Sequence, residues 1–172
     1  MELLDVYTRD GEYLGVQPRE LFVKGNPGFY NKPAWTWVYN SNHEVLVQKR
    51  ASTKKVYPDY WDMSCAGHID AGESIIQGVM REAKEEIGID VKEEDCEFKF
   101  EYIEDNLGEL GQVYFIKVDQ DINDFVIQEE EVAEIKWVTL DELKEMLFSD
   151  KWCPYSKEYK EKVLEEFEKE FK

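Results

Sequence analysis

The sequence has 172 residues, of which 42% are apolar and 14% aromatic, a composition that predicts one packed domain over residues 1–172 and excludes a disordered chain. It carries 39 Asp and Glu against 21 Lys and Arg, and the formal net charge of -18 disfavours duplex nucleic acid, whose binding depends on cationic side chains. Three cysteines without paired spacing, and no apolar run near the roughly 18 residues of a membrane span, predict a cytoplasmic protein that does not enter a membrane.

The first half of the chain is predicted to form short strands. Side chains of alternating polarity, separated by turn residues, indicate a hairpin at the start of the chain and two central antiparallel strands after it. A basic stretch from Arg50 to Pro58 then precedes one more short strand. In chain order the predicted strands are Leu3 to Thr8, Tyr13 to Val16, Trp35 to Tyr39, Val45 to Gln48 and Trp61 to Ala66.

From Ser74 the apolar period becomes helical, and a helix is predicted from Ser74 to Ile87. Ser74 and Gln77 have the spacing of a capping box, and Gly88 is a typical residue to end a helix. One side of this helix is predicted to pack against a sheet. Its apolar stripe consists of Ile76, Val79, Met80, Ala83 and Ile87.

The second half of the chain mixes strands and helices without a regular strand-helix repeat. This order predicts an α+β fold, with a mixed β-sheet between helices, and not a parallel doubly wound sheet. The predicted strands are Glu97 to Ile103, Gly111 to Val118 and Ala133 to Val138, and the predicted helices are Leu140 to Phe148 and Lys157 to Phe171.

Three carboxylates are predicted to lie together on the first helix. Glu82 and Glu86 are one turn apart and Glu85 lies beside them, so all three project from a face about 100° wide. Like charges at this distance repel each other, and Mg²⁺ or Mn²⁺ would relieve that repulsion because both ions prefer oxygen ligands. The competing interpretation is a solvated acidic helix face, which is common in chains rich in Glu.

Arg81 is expected to support this arrangement from the same helix. Its guanidinium is predicted to pair with Glu73 and so to brace the preceding loop against the helix. Both residues are therefore expected to be structural and not catalytic.

These residues together resemble the signature of the Nudix hydrolase family. The signature begins with glycine, five residues and Glu, and continues with seven residues and Arg-Glu; it ends in Glu-Glu, one residue and glycine. Ala83 departs from it, because a larger aliphatic residue is usual there. The matching positions are Gly67, Glu73, Arg81, Glu82, Glu85, Glu86 and Gly88.

The resemblance implies an α/β/α sandwich with a mixed sheet, in which a loop-helix-loop segment hydrolyses a nucleoside diphosphate linked to another group. It further implies that Glu82 and Glu86 are the principal metal ligands and that Glu85 is a further ligand or the general base. The main-chain carbonyl of Gly67 is an additional implied ligand.

The run from Val45 to Ser74 also resembles the isopentenyl-diphosphate isomerase-like branch of this superfamily. By that resemblance Arg50 and Lys54 bind the diphosphate; the alternative is a solvated basic turn. His68 either contacts a phosphate or metal, or is a hydrogen-bonded loop residue, and the sequence favours neither.

The isomerase chemistry itself is expected to be absent. The isomerase cysteine directly precedes the glycine-histidine pair, and Ala66 stands in that place; Cys65 lies one residue earlier and, on a strand, faces the other way. An upstream histidine ligand of the isomerases is replaced by Asn31. A hydrolase is therefore preferred to an isomerase, and a non-catalytic nucleotide-binding module is the third hypothesis.

The expected partner is a small diphosphate compound whose identity the sequence leaves open. The sequence also leaves the oligomeric state open; a homodimer is compatible with it, on the general frequency of symmetric dimers and on the habit of the family alone.

Overall fold

The computed structural model describes residues 2–172 and contains nine strands and three α-helices. A mixed sheet lies between helices on both faces, which confirms the predicted α+β sandwich. None of the helices in residues 2–172 is long and apolar enough to cross a membrane. The strands are β1 (Leu3–Tyr7), β2 (Tyr13–Pro18), β3 (Ala34–Tyr39), β4 (Glu44–Arg50), β5 (Trp61–Asp62), β6 (Cys65–Gly67), β7 (Cys96–Glu104), β8 (Glu109–Lys117) and β9 (Val132–Thr139). The helices are α1 (Ile75–Ile87), α2 (Leu140–Leu147) and α3 (Lys157–Glu170).

The main sheet has seven strands, and β3 lies at its centre. β3 pairs in parallel with β8 and antiparallel with β4 and β6, whereas β9 and β5 pair with β4, and β7 pairs with β8. Five of the six residues of β3 are buried, as expected for a strand covered on both faces. The parallel β3–β8 pair makes the sheet mixed.

The two faces of the sheet are covered differently. α1 packs on one face, against a cluster that includes Val38, Leu46 and Ile116. α2 and α3 cover the other face, where the cluster includes Trp37 and Phe115. Val38 and Trp37 are neighbours on β3 and point to opposite faces, as the two-residue period of a strand requires.

The segment from β5 to β6 enters the sheet where β3 and β4 separate. β5 pairs with β4 and β6 pairs with β3, so the single strand predicted here is divided into two short ones. Ser64 lies between them: its hydroxyl accepts a hydrogen bond from Val38 N (2.7 Å) and donates to Leu46 O (2.5 Å). This bridge holds the two separated strands and places Gly67 at the end of β6.

The hairpin β1–β2 forms a small second sheet. It packs on the loop between β6 and α1 through Leu4, whose side chain is fully buried and whose backbone forms an isolated bridge with Asp70. The predicted hairpin is therefore present, in contact with the segment that precedes α1.

Candidate active site

Helix α1 begins and ends where its local sequence predicts. The Ser74 hydroxyl accepts a hydrogen bond from Gln77 N (3.2 Å), and the Gln77 side chain accepts one from Ser74 N (2.9 Å). Gly88 ends the helix with a φ of 70°, a left-handed conformation that glycine adopts without strain. Val79, Ala83 and Ile87 of the apolar stripe are buried against the sheet. The helix is thus fixed at both ends and along one side.

Glu82 and Glu86 form a pair of carboxylates beside the sheet, in which Glu86 is buried and Glu82 is partly buried. Glu86 is only 8% exposed, and its Oε1 accepts hydrogen bonds from Gln48 Nε2 (3.0 Å) and from Ala66 N (3.4 Å). Burial and the adjacent Glu82 carboxylate raise the pKa of Glu86 well above its usual value. Burial also raises the pKa of Glu82, although Arg81 partly opposes this shift. A cation bound beside two such close carboxylates would stabilise their charged forms.

Gly67 lies directly against the Glu82 carboxylate. A Cβ atom at position 67 would overlap the carboxylate carbon and both oxygens of Glu82. The absence of a side chain at Gly67 therefore creates the space in which this carboxylate sits. The glycine of the motif has a steric role that its spacing in the sequence does not reveal.

Arg81 connects the loop between β6 and α1 to helix α1 through several contacts. Its Nε and Nη2 groups donate to the two carboxylate oxygens of Glu73 (2.8 and 2.9 Å), a bidentate pair. Nη2 also donates to His68 O (3.1 Å), and Nη1 donates to Glu82 Oε1 (2.8 Å) and to Glu85 Oε2 (3.2 Å). The carboxylates of Glu73 and Glu82 raise the pKa of Arg81, which stays charged. One guanidinium thus fixes the loop and orients two carboxylates of the helix.

The donors available to a metal are few and are all oxygens. Glu85 is about half exposed and turns toward Arg81. Within residues 2–172, no three His, Cys, Asp or Glu side chains converge closely enough to hold an ion. The candidate ligands are therefore the Glu82 and Glu86 carboxylates and the carbonyl of the adjoining Gly67. These groups fit Mg²⁺ or Mn²⁺, because such ions take a few carboxylate oxygens and complete their shell with water and phosphate.

His68 is the first residue of the loop between β6 and α1, and its side chain is partly buried. Burial, and to a smaller extent the charge of Arg19, lower the pKa of His68 to about 4. Its main-chain carbonyl is the acceptor for Arg81. The structure thus shows His68 as a partner of the Arg81 network.

The structure does not bring Arg50 and Lys54 to these carboxylates. The Arg50 guanidinium donates to Val56 O (3.0 and 3.2 Å) and lies 3.5 Å from Asp62 Oδ2, and Lys54 forms an ion pair with Glu131. Both cations are already neutralised, among the residues that the structure describes, by groups outside α1. Their predicted binding of a diphosphate stays a prediction.

Sequence reasoning missed Gln48 as a member of the site. Its amide donates both to Glu86 Oε1 and to Ser64 O (both 3.0 Å) and is only 6% exposed. A polar side chain inside the predicted apolar strand Val45 to Gln48 was the available signal, because buried polar groups require partners.

Comparison with known sequences identifies the family of this arrangement. A family model described as NUDIX domain matches residues 30–158. An uncharacterized Nudix hydrolase of Listeria monocytogenes is 34% identical over 159 residues, which cover 90% of each chain. Nudix hydrolase 3 of Arabidopsis thaliana is 30% identical over 90% of this chain but only 22% of its own length. An isopentenyl-diphosphate Delta-isomerase of Photorhabdus laumondii is 42% identical over 69 residues, covering 40% of this chain.

Solved structures share the fold at low sequence identity. A protein from Deinococcus radiodurans is similar over 99% of this chain and its own full length, with a TM-score of 0.72 and 17% identity. The MutT protein from Methanosarcina mazei is similar over 83% of this chain and 96% of its own, with a TM-score of 0.62 and 23% identity. These likenesses support the α/β/α sandwich.

Proposed function

The chain belongs to the Nudix family, and on that premise we propose that it is a Mg²⁺- or Mn²⁺-dependent hydrolase of a diphosphate linkage in a small molecule. The substrate is a nucleoside diphosphate derivative or a similar small diphosphate. Water attacks phosphorus, the bridging phosphorus-oxygen bond breaks, and the leaving phosphate retains the electron pair.

The observation that carries this proposal is the environment of Glu86. Its carboxylate is buried and adjoins that of Glu82, yet in residues 2–172 no Lys or Arg side chain forms an ion pair with it. A buried carboxylate without a cation destabilises the fold, so the presence of Glu86 must have a reason other than stability. A solvated acidic face does not explain Glu86, because that side chain is not solvated.

Each residue of the site has a defined task in this proposal. Glu82 and Glu86 hold the cation, which when bound neutralises diphosphate oxygens and lowers the pKa of the attacking water. Glu85 is about half exposed and is suited to accept the proton of that water. Arg81 orients Glu82 and Glu85 while Glu73 fixes Arg81.

The residues proposed to bind substrate are Arg50, Lys54 and His68, the last as a neutral hydrogen-bonding side chain. The two cations, Arg50 and Lys54, must exchange partners to do so. Lys54 has to leave Glu131, and Arg50 has to leave Val56 O. The Glu131 pair is partly exposed, so its exchange for a phosphate involves only a small loss.

The isomerase alternative has weak support from the geometry. The Cys65 thiol is fully buried in the cluster under α1, and burial raises its pKa well above the usual value. Ala66 packs toward the opposite face, where a thiol would be needed. A buried, protonated thiol is a poor acid-base catalyst for an allylic diphosphate.

The setting proposed for this activity is one domain over residues 1–172 in the cytoplasm. Cys65, Cys96 and Cys153 are free, which agrees with a reducing compartment. The homodimer stays a prediction, and light scattering in solution would test it.

The proposal is tested by hydrolysis of a panel of nucleoside diphosphate derivatives, dinucleotides and allylic diphosphates with Mg²⁺ or Mn²⁺. We expect metal-dependent release of phosphate products by the wild type and a loss of about 10³-fold in kcat for Glu86→Gln. Glu94→Gln is the matched control, because Glu94 is exposed and lies outside α1.

Three other outcomes would contradict the proposal. Turnover that persists without added metal and with chelator would remove the cation from the mechanism. Conversion of an allylic diphosphate to its isomer without hydrolysis would establish the isomerase. Tight nucleotide binding without turnover of any compound would favour the binding module.

A further inference from the structure

The loop between β6 and α1 is held from two sides. On one side Arg81 binds Glu73 and His68 O, as described above. On the other side the hairpin β1–β2 contacts the same loop. Since the loop carries Gly67 at its start and Glu73 at its end, its position determines where the Glu82 carboxylate can lie.

The hairpin is attached to the loop by main-chain contacts. Ala71 N donates to Leu3 O (2.8 Å), and Leu4 forms an isolated antiparallel bridge with Asp70. The fully buried Leu4 side chain anchors β1 beneath these bonds. β1 therefore runs beside the loop as a short additional strand.

Asp5 adds a side-chain contact at the point where the loop bends into α1. Its Oδ2 accepts a hydrogen bond from Gly72 N (3.1 Å), while Oδ1 accepts one from the Tyr13 hydroxyl (3.2 Å). Gly72 has a φ of 83°, a conformation in which its amide can point away from the helix toward Asp5. The carboxylate is thus fixed by β2 and in turn fixes the residue next to Glu73.

We propose that Asp5 is a positioning residue, which holds the loop so that Glu73, through Arg81, keeps the Glu82 carboxylate in its catalytic orientation. The proposal rests on the hydrolase function proposed above and extends it to a residue outside the family motif. Asp5 acts through a chain of hydrogen-bonded contacts that passes from Gly72 to Glu73, Arg81 and Glu82.

A small displacement of the loop is sufficient for a measurable effect. Misplacement of catalytic groups by about 1 Å lowers rates by as much as about 100-fold. Loss of the single hydrogen bond between Asp5 and Gly72 should displace the loop by less than that distance. We therefore expect Asp5→Ala to reduce kcat by about tenfold with a smaller change in KM, because Asp5 contacts the Glu73 end of the loop and not His68.

Asp5→Asn and Asp10→Ala are the matched variants. Asn keeps an oxygen that can accept from Gly72 N, and the Tyr13 hydroxyl can accept from its amide, so we expect this variant to retain most of the wild-type kcat. Asp10 is exposed in the turn of the same hairpin and has no side-chain hydrogen bond among the residues that the structure describes. Asp10→Ala controls for loss of one acidic charge from the hairpin.

Hydrogen exchange of the Gly72 amide gives a readout that does not require turnover. We expect exchange of this amide to be faster in Asp5→Ala than in the wild type, and restored in Asp5→Asn, while amides in the middle of α1 keep their wild-type rates. If the wild type hydrolyses no compound of the panel, the function proposal fails but this exchange measurement still tests the contact.

The combination of results decides the proposal. Faster Gly72 exchange together with a selective fall in kcat, both reversed by Asn, would support it. An unchanged kcat in Asp5→Ala despite faster exchange would overturn it, since the contact would then hold the loop without positioning the site. Equal losses in Asp5→Ala, Asp5→Asn and Asp10→Ala would also overturn it, by indicating a general effect of charge.

Discussion

The two faces of the central sheet are built on different principles. On the face covered by α2 and α3, aromatic rings pack on one another; Phe115 and Phe167 stack with centroids 4.1 Å apart. The polar tips of this cluster have partners, since Trp37 Nε1 donates to the Tyr159 hydroxyl (3.1 Å) and that hydroxyl lies 3.8 Å from Met63 Sδ. On the face covered by α1, apolar packing instead adjoins the buried pair Glu82 and Glu86.

The difference separates a face that stabilises the fold from the face that carries the proposed active site. Partnered polar groups and stacked rings in a dry core stabilise the fold. Two adjacent buried carboxylates have the opposite effect until a cation neutralises them. On the function proposed above, the same sheet carries a stabilising face and a reactive face, and variants of each should separate stability from activity.

The largest effect is expected on the aromatic face. Phe167 is fully buried, so Phe167→Ala should lower the free energy of unfolding by about 3–5 kcal/mol through lost burial and the cavity that remains. Urea denaturation measures this loss. Phe148→Ala is the matched control, because Phe148 is 50% exposed. A comparable loss in both variants would contradict the assignment of stability to the aromatic core.

The reactive face is tested by Gly67→Ala. The added Cβ must displace the Glu82 carboxylate, which is the flexible end of a side chain and can move with little loss of stability. We expect kcat to fall by about 100-fold, or about 2.7 kcal/mol, while the unfolding midpoint in urea changes little. Full activity in this variant would show that the orientation of Glu82 is not needed.

Glu109 tests whether a partly buried carboxyl also lowers stability next to the aromatic cluster. Burial, reinforced by the neighbouring Glu104, raises the pKa of Glu109 from its ordinary value of 4.5 to about 7, and Trp35 partly opposes the shift. Because the pKa of the folded state is the higher one, the stability that this group contributes is complete below pH 4.5 and lost as pH rises through 7.

Glu109→Gln should therefore match the wild type in unfolding free energy near pH 4.5 and exceed it by about 2 kcal/mol at pH 8, a value discounted for partial solvent access. Urea denaturation across this pH range measures the difference. A constant difference between the two proteins at every pH would contradict the raised pKa.

The smallest expected effect is that of Arg81→Lys. Lysine keeps the charge but cannot reproduce the bidentate pair with Glu73 together with the bonds to Glu82 and His68 O. We expect kcat to fall by about tenfold, equivalent to about 1.4 kcal/mol. Lys84→Arg, an exposed change on the same helix, is the control; an unaltered kcat in Arg81→Lys would show that a point charge is sufficient.

Local chemistry explains what could be predicted from the sequence. The limits of α1 follow from Ser74, Gln77 and Gly88, whose interactions involve neighbours in the chain. The spacing of Glu82 and Glu86 places them on one face by helical geometry alone. Such features depend on a few neighbouring residues, so they can be predicted without knowledge of the fold.

Contacts between distant segments could not be predicted in this way. The parallel pairing of β3 with β8 joins residues more than seventy positions apart, such as Ala34 and Gln112, and nothing in either strand specifies its partner. The hydrogen bond from Gly72 N to Asp5 was not predicted either, because it also joins distant segments of the chain. The family resemblance assigned Lys54 to diphosphate binding, but the sequence did not indicate its pairing with Glu131.

The central claim is that the Glu82–Glu86 pair is retained for a divalent cation at the expense of stability. The most direct test is the thermal unfolding midpoint of the wild type and of Glu86→Gln, with chelator and with saturating Mn²⁺. With chelator at neutral pH, Glu86→Gln should unfold at the higher temperature, because the wild type must either bury the Glu86 charge beside Glu82 or take up a proton to avoid it. Mn²⁺ should then raise the midpoint of the wild type and leave that of the variant nearly unchanged, since only a bound cation stabilises the native state. A variant that is less stable than the wild type in chelator, or equal stabilisation of both proteins by Mn²⁺, would contradict the claim.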